Sequence, residues 1–267
     1  MKQASVSEQA VVDMARELGR ALGASKAFRC YERALEQYQS DVSAADLLEQ
    51  VRRLEQEASM KEMLWGDSGG DWAEKLASLR QQVRAHPVIR ALQQTETELA
   101  ALLFGTVLKL GEMTGIDYAE ACTGRSLSGC GPAGVPEHAG AVLADAPEIR
   151  KAMGELGDLI RDTSAYQLYA ESRQAFSEDS NLKRLRKEIR DSRETYLRAQ
   201  GEGRVTLDLI ERVRAAQSRL QEHPSVVAFS QKRRDMYRVM QEINRAIGDV
   251  VGIDIAQVVA PRAGCCG

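Results

Sequence analysis

His86-Pro87 recurs as His223-Pro224, and Gly115-Ile116-Asp117 recurs as Gly252-Ile253-Asp254, both at a spacing of 137 residues. Glu17-Leu18-Gly19 recurs as Glu155-Leu156-Gly157 at a spacing of 138. Behind it, Phe28, Tyr31, Tyr38 and Asp41 meet Tyr166, Tyr169, Phe176 and Asp179 at that same spacing. One residue lost in the glycine loops, Gly66 to Gly70 against Gly201 to Gly203, reconciles the two spacings. Self-similarity at a single period means one structural unit written twice. The chain therefore reads as a tandem duplication. Repeat one is 1–125, a Gly/Pro/Ala-rich linker holding Cys130 is 126–142, and repeat two is 143–267.

Each repeat has helical periodicity. Val11, Val12, Met14, Ala15, Leu18 and Leu22 fall at helical spacing, as do Met153, Leu156, Leu159 and Ile160. Breaks follow at Ser40-Asp41 and Asp179-Ser180, where a side-chain oxygen is available to cap the next helix. Proline after His86 and His223 suits the first turn of a helix, because its missing N–H has no partner there anyway. The long helices that follow carry heptads. Ile89, Leu103 and Leu110 take one seam position, and Leu92, Leu99 and Met113 the other. In repeat two, Val226, Met240 and Ile247 fill one seam position, and Phe229, Met236, Ile243 and Val250 the other. Such a stripe is a packing face. With only six prolines and 5% aromatics, the expected fold is all-α: two similar helical domains related by a pseudo-two-fold. Each domain ends in a long amphipathic helix and a Gly/Cys-rich tail. The stretch from Glu120 to Pro147, low in charge and without periodicity, reads as loop.

The tails hold the chemistry. Cys122 and Cys130 follow the first Gly-Ile-Asp; Cys265 and Cys266 follow the second. The N-terminal MKQASVSEQA lacks the apolar core of a signal peptide, and no apolar run approaches the roughly 18 residues of a membrane span. A cytoplasmic location is the expectation, and there clustered thiols favour metal over a structural disulfide. Thiolate is a soft donor suited to zinc and iron–sulfur groups; tetrahedral zinc and most [4Fe–4S] clusters take four ligands. Neither tail supplies four, but Cys122, Cys130, Cys265 and Cys266 do if the two repeat ends meet. No C-x2-C is present, so a vicinal redox pair at Cys265-Cys266 and a tail that binds nothing stay open. Cys30, whose counterpart is Leu168, reads as a packing residue. His138 falls in the linker, and His86 and His223 read as helix-end residues with no acid–base partner nearby. P-loop, G-x-G-x-x-G, H-E-x-x-H and G-x-S-x-G motifs are absent, so a non-enzymatic protein is expected.

The net charge of −3 makes no global demand for nucleic acid. One local stripe is basic: Lys183, Arg184, Arg186, Lys187, Arg190 and Arg193, on the helix that Leu182, Leu185, Ile189 and Leu197 line. It is the one candidate for RNA contact, although acidic residues accompany it and no aromatics interleave, as on an ordinary solvated face.

Tyr166-Gln-Leu-Tyr169, the following Phe176, the aspartate break, and a His223-Pro224 helix ending in Met240-Gln-Glu-Ile243-Asn244 together resemble the YlbF/YmcA family of small all-helical bacterial regulators. Repeat two covers the whole family domain. Repeat one is a more divergent match that keeps Phe28, Tyr31, His86-Pro87 and the Gly-Ile-Asp ending. The resemblance implies a non-enzymatic cytoplasmic protein in a regulatory complex of the cell-fate and mRNA-processing type, a kind linked to [4Fe–4S] clusters. It also implies protein partners through helical faces, self-association among them. Fusion of two domains in one chain departs from the family pattern and sets the usual partners aside.

Overall fold

The computed structural model describes residues 7–65, 71–126 and 139–260. Among the described residues run thirteen α-helices and no strand. Repeat one supplies α1 (Glu8–Gly23), α2 (Lys26–Ser40), α3 (Val42–Trp65), α4 (Asp71–Ala85), α5 (Pro87–Thr114) and α6 (Tyr118–Thr123). After α7 (Ala139–Ala144), repeat two supplies α8 (Pro147–Arg161), α9 (Ser164–Glu178), α10 (Ser180–Gly201), α11 (Leu207–Gln221), α12 (Pro224–Val251) and α13 (Ile255–Val259). No helix among the described residues is long and apolar enough to cross a membrane.

The duplication is written in the helix caps. Ser25 accepts from the Phe28 N–H, and its counterpart Thr163 from the Tyr166 N–H, both at 3.2 Å. Asp41 accepts from the Ala44 N–H and Asp179 from the Leu182 N–H, both at 3.0 Å. Each of these oxygens satisfies an amide that the first turn of a helix leaves without a partner.

The helices gather into two compact units. Met1–Ala15 with Glu155–Ala246 form the first, and Arg16–Gly154 with Ile247–Gly267 the second. Each thus draws its body from one repeat and an end segment from the other.

In the second unit α5 is the axis. Helices α2, α4, α6, α7 and α13 all pack on it. Every residue from Ala101 to Val107 is buried. The two-seam heptad expected there is too narrow a description: Ala-Leu-Leu-Phe-Gly-Thr-Val carries no charge, and a helix apolar all round belongs inside a core. Thr106 fits because its hydroxyl donates to the Leu102 carbonyl at 2.9 Å. Two further expectations need correction. The stretch from Glu120 to Pro147 contains the end of α6, then α7, and leads into α8. Ala-Gly-Ala-Val-Leu-Ala is too short to show a period, yet its buried Leu143 and the packing of α7 on α5 hold it helical. Val250, expected in a seam, is 40% exposed and lies against Gly19 of α1 instead.

In the first unit α9 and α12 share an aromatic cluster. The Phe229 ring stacks on Phe176 at 4.7 Å and on Tyr169 at 5.8 Å between centroids. Met236, Met240 and Ile243 of α12 are fully buried and follow the expected stripe. Helices α10 and α11 pair as a hairpin, with Leu182 and Ala216 buried and Arg219 bridging to Glu188.

Candidate functional site

The Gly-Ile-Asp triplets are helix-to-helix turns, and every residue in them has a task. Gly115 (φ 65°) and Gly252 (φ 74°) take the left-handed conformation that ends α5 and α12. Their N–H groups donate to the carbonyls of Gly111 and Gly248, each at 2.8 Å. A Cβ on Gly111 would stand 3.1 Å from the Ile116 carbonyl oxygen, and one on Gly248 3.2 Å from that of Ile253, so each turn folds back onto a bare glycine. The aspartates then cap the next helix: Asp117 accepts from the Glu120 N–H at 3.0 Å and Asp254 from the Gln257 N–H at 3.1 Å.

These two short helices meet. In the second unit α6 packs against α13, and both pack on α5. Tyr118, Ala119 and Ala121 are buried on one side of the joint, Ile255, Ala256 and Val259 on the other. Cys122 lies one turn beyond Tyr118 on α6 and is half-buried. Sequence reading expected it on flexible backbone; the Asp117 cap instead makes a helix of that segment. Burial first, and then the Asp254 charge, push the Cys122 thiol up to about 12. Burial likewise holds the Tyr118 phenol well above its usual value, with Cys122 and Asp254 adding to it. At neutral pH this sulfur is a thiol, and the thiolate is the metal ligand and nucleophile. Beyond α6, Gly124 (φ 73°) turns the chain and the Ser126 hydroxyl donates to Asp117 at 2.6 Å.

Cys130, Cys265, Cys266 and His138 lie outside the described residues. Among the described residues no group of three or more His, Cys, Asp or Glu side chains is placed to hold a metal ion. Cys122 is therefore the one candidate donor whose surroundings are known. A neutral thiol beside a carboxylate is a poor fit for a metal unless the metal displaces its proton. Cys30 is half-buried on α2.

Lys183, Arg184, Arg186, Lys187, Arg190 and Arg193 of α10 are all exposed. Arg186 lies over the Phe176 ring at 4.3 Å, and Arg184 donates to the Asn181 side chain at 3.2 Å. Arg186, Arg190 and Arg193 line a shallow groove with Ile189, Glu194 and Leu197.

His86 and His223 have neighbours that sequence reading missed. The Ser43 hydroxyl donates to Asp41 at 2.6 Å and lies 3.1 Å from His86 Nε2. In repeat two the Ser225 hydroxyl donates to Asp179, whose carboxylate is 3.9 Å from His223 Nδ1. The signal was available: Asp41 and Asp179 are equivalent in the repeat, as are the two histidines. The Ser43 hydroxyl, then the Ala44 N–H, hold the Asp41 carboxyl below its usual range. Ser225 and then the Leu182 N–H do the same for Asp179. These are clasps joining a helix break to the start of a long helix.

A search of curated proteins and one of solved structures found no match. A family model described as "Control of competence regulator ComK, YlbF/YmcA" matches twice, over residues 11–107 and 149–251. The two stretches fall one in each repeat. The residues behind the resemblance help build the packing: Tyr169 and Phe176 in the aromatic cluster with Phe229, and Met240, Ile243 and Asn244 in the buried stripe of α12. The chain belongs to the YlbF/YmcA family of competence regulators and carries the family domain twice.

Proposed function

We propose that the chain is a non-catalytic cytoplasmic adaptor in a regulatory complex, and that its thiols hold an iron–sulfur cluster or zinc at the α6/α13 end of the second unit. The duplicated domains, 1–125 and 143–267 about the linker 126–142, would then be two linked copies of one regulatory module. Protein partners, further copies of the chain included, would bind its helical faces. The observation that carries the proposal is the packing of α6 against α13. It starts the two cysteine-bearing segments from neighbouring helix ends. Cys130 is four residues past Ser126 and Cys265 five past Ala260. At about 3.5 Å per residue, those lengths reach roughly 14 Å and 18 Å at most. Cys130, Cys265 and Cys266 can therefore be gathered at one point, and the sequence set adds Cys122.

Anaerobic purification with a visible spectrum and iron and zinc assays tests this. Bound metal that is lost in Cys265→Ala/Cys266→Ala supports the proposal. A folded chain that holds no metal under anaerobic reconstitution with iron and sulfide, or with zinc, reduces it to a helical interaction module.

A second reading has its own support: Lys183, Arg184, Arg186, Lys187, Arg190 and Arg193 are all exposed on α10, as an RNA contact requires. Such binding would weaken steeply with salt, because neutralised phosphates release counterions. Arg190→Glu/Arg193→Glu would abolish it. RNA affinity unchanged by salt or by that variant would end this reading.

A further inference from the structure

We infer that the exposed stripe of α10 is the docking face for an acidic amphipathic helix of a partner protein. The partner's carboxylates pair with Lys183, Lys187, Arg190 and Arg193, and its apolar side chains cover Ile189 and Leu197. The inference rests on the adaptor reading for its choice of a protein as partner. Residues 183, 186, 187, 190, 193 and 197 recur at steps of three and four, so they share one face of α10. Repeat one shows that the fold does not ask for these charges. At the 138-residue spacing Arg186, Lys187, Arg193 and Leu197 fall on Leu48, Glu49, Glu55 and Ser59 of α3, and Arg190 falls on Arg52. In α3 the Glu49 carboxylate holds Arg52 at 3.2 Å and Arg53 at 3.1 Å, and Glu55 holds Arg80 of α4 at 2.8 Å. Lys187 in the place of Glu49 turns that ion pair into a like-charge pair with Arg190. The same spacing sets Lys183 against Lys187, Arg186 against Arg190, and Arg190 against Arg193. Such pairs destabilise a helix. The neighbouring carboxylates are engaged elsewhere: Glu188 bridges to Arg219 of α11 and Glu194 to Arg198. Lys183, Lys187, Arg190 and Arg193 make no ion pair among the described residues. The stripe thus carries a repulsion that an anion from outside relieves.

The groove selects the kind of anion. Ile189 and Leu197 line it between the arginines, and Leu197 is 55% exposed. A phosphate backbone leaves these side chains uncovered, and among the described residues no aromatic lines the groove to stack on a base. Arg186, held over the Phe176 ring at 4.3 Å, is already positioned at its edge. From position 183 to position 193 the stripe runs about 15 Å, in rows roughly 5.4 Å apart. A second helix lying along it repeats its side chains at that same pitch, so carboxylates three, four and seven residues apart meet successive rows. An extended peptide repeats like-facing side chains every ~6.8 Å and falls out of step over that length.

Fluorescence anisotropy with the full chain tests it. The probes are an amphipathic helical peptide with leucine along one stripe and glutamate on its flanks, the same peptide with lysine for every glutamate, and a poly(U) oligonucleotide. Wild type is expected to bind the glutamate peptide at least about tenfold more tightly than the lysine peptide. Arg190→Glu/Arg193→Glu should weaken the glutamate peptide by about tenfold or more, and Leu197→Ser should weaken it too. Equal affinity for the two peptides, or no binding of the glutamate peptide, overturns the inference. So does poly(U) bound more tightly than that peptide, through the same arginines and with no effect of Leu197→Ser, which is the result the RNA reading requires. A second measurement needs no ligand. Lys187→Glu restores the arrangement of Glu49 and Arg52 in repeat one, so it should raise the thermal midpoint while weakening the glutamate peptide. A lowered midpoint overturns the inference. The metal assay scores the thiol group separately. Metal bound without peptide binding keeps the adaptor reading and overturns only this inference; peptide binding without metal supports this inference and removes the thiolate group.

Discussion

The hydroxyl of Ser225, at the start of α12, donates to the carboxylate of Asp179, which caps α10 46 residues earlier. Repeat one makes the same clasp with different parts: Ser43 of α3 donates to Asp41 and lies against His86. The serines are not equivalent in the repeat, but the aspartates and histidines are. What the duplication retained is therefore an anchored carboxylate at the helix break, with a hydroxyl supplied from whichever element lies nearest.

That carboxylate predicts an acid limb. Hydroxyl and amide donors lower both aspartate pKa values below the ordinary 3.8. A depressed carboxyl contributes stability that is present above its unfolded pKa and lost as pH falls through the folded one. Urea midpoints should therefore hold from pH 7 to about pH 4 and drop below it. Asp41→Asn/Asp179→Asn should start lower at pH 7 and show a flatter acid limb. An acid limb identical to wild type would remove the clasp from the account.

Gly19 predicts a steric effect. A Cβ built there stands 2.9 Å from Val250 Cβ and 3.2 Å from the Ile247 carbonyl oxygen. Gly19→Ala forces α1 away from the end of α12 and should cost about 1–3 kcal/mol, as overpacking does. Val250→Gly removes both the Cβ at 2.9 Å and the Cγ1 at 3.3 Å and should recover part of the loss in a double-mutant cycle. Additive losses, measured by chemical denaturation, would show that the close approach does not limit stability.

Much of this was legible, and the parts that were not have physical reasons. Long helices announce themselves by period and caps, so His86-Pro87 and His223-Pro224 located α5 and α12 from sequence alone. Helices of five or six residues show no period, so α6, α7 and α13 did not stand out. Gly-Ile-Asp was readable as a helix stop through its glycine; its aspartate as the cap of another helix was the overlooked half. That oversight put Cys122 on a flexible tail instead of in a packed joint. The neighbourhood of Asp254 and Cys122, more than a hundred residues apart, could not come from local pattern at all.

The fully enclosed middle of α5 predicts a sharp contrast between two leucines. Leu103 is 0% exposed, whereas Leu197 of α10 is 55% exposed. Leu103→Ala removes buried methyl groups and leaves a cavity, for a loss of about 2–5 kcal/mol. Leu197→Ala should change stability by no more than about 0.5 kcal/mol. Equal effects in denaturant melts would mean that α5 is not the axis of its unit.

The α6/α13 joint predicts an alkaline limb, and its sign follows from which form of each group is buried. The folded chain keeps the Cys122 thiol protonated to about pH 12, against an ordinary value of 9.0. The Tyr118 phenol is also raised well above 10.0. Between the unfolded and folded values the unfolded chain has lost protons that the folded chain retains, so stability falls as pH rises. The contribution is complete below about pH 9 and declines toward pH 12. Thermal midpoints measured from pH 8 to pH 11 should therefore fall in wild type. Cys122→Val should fall less, because valine has no proton to lose, and the residual slope should track Tyr118. If Tyr118→Phe/Cys122→Val falls as steeply as wild type, the alkaline sensitivity lies elsewhere and the joint is not the buried, proton-holding contact described.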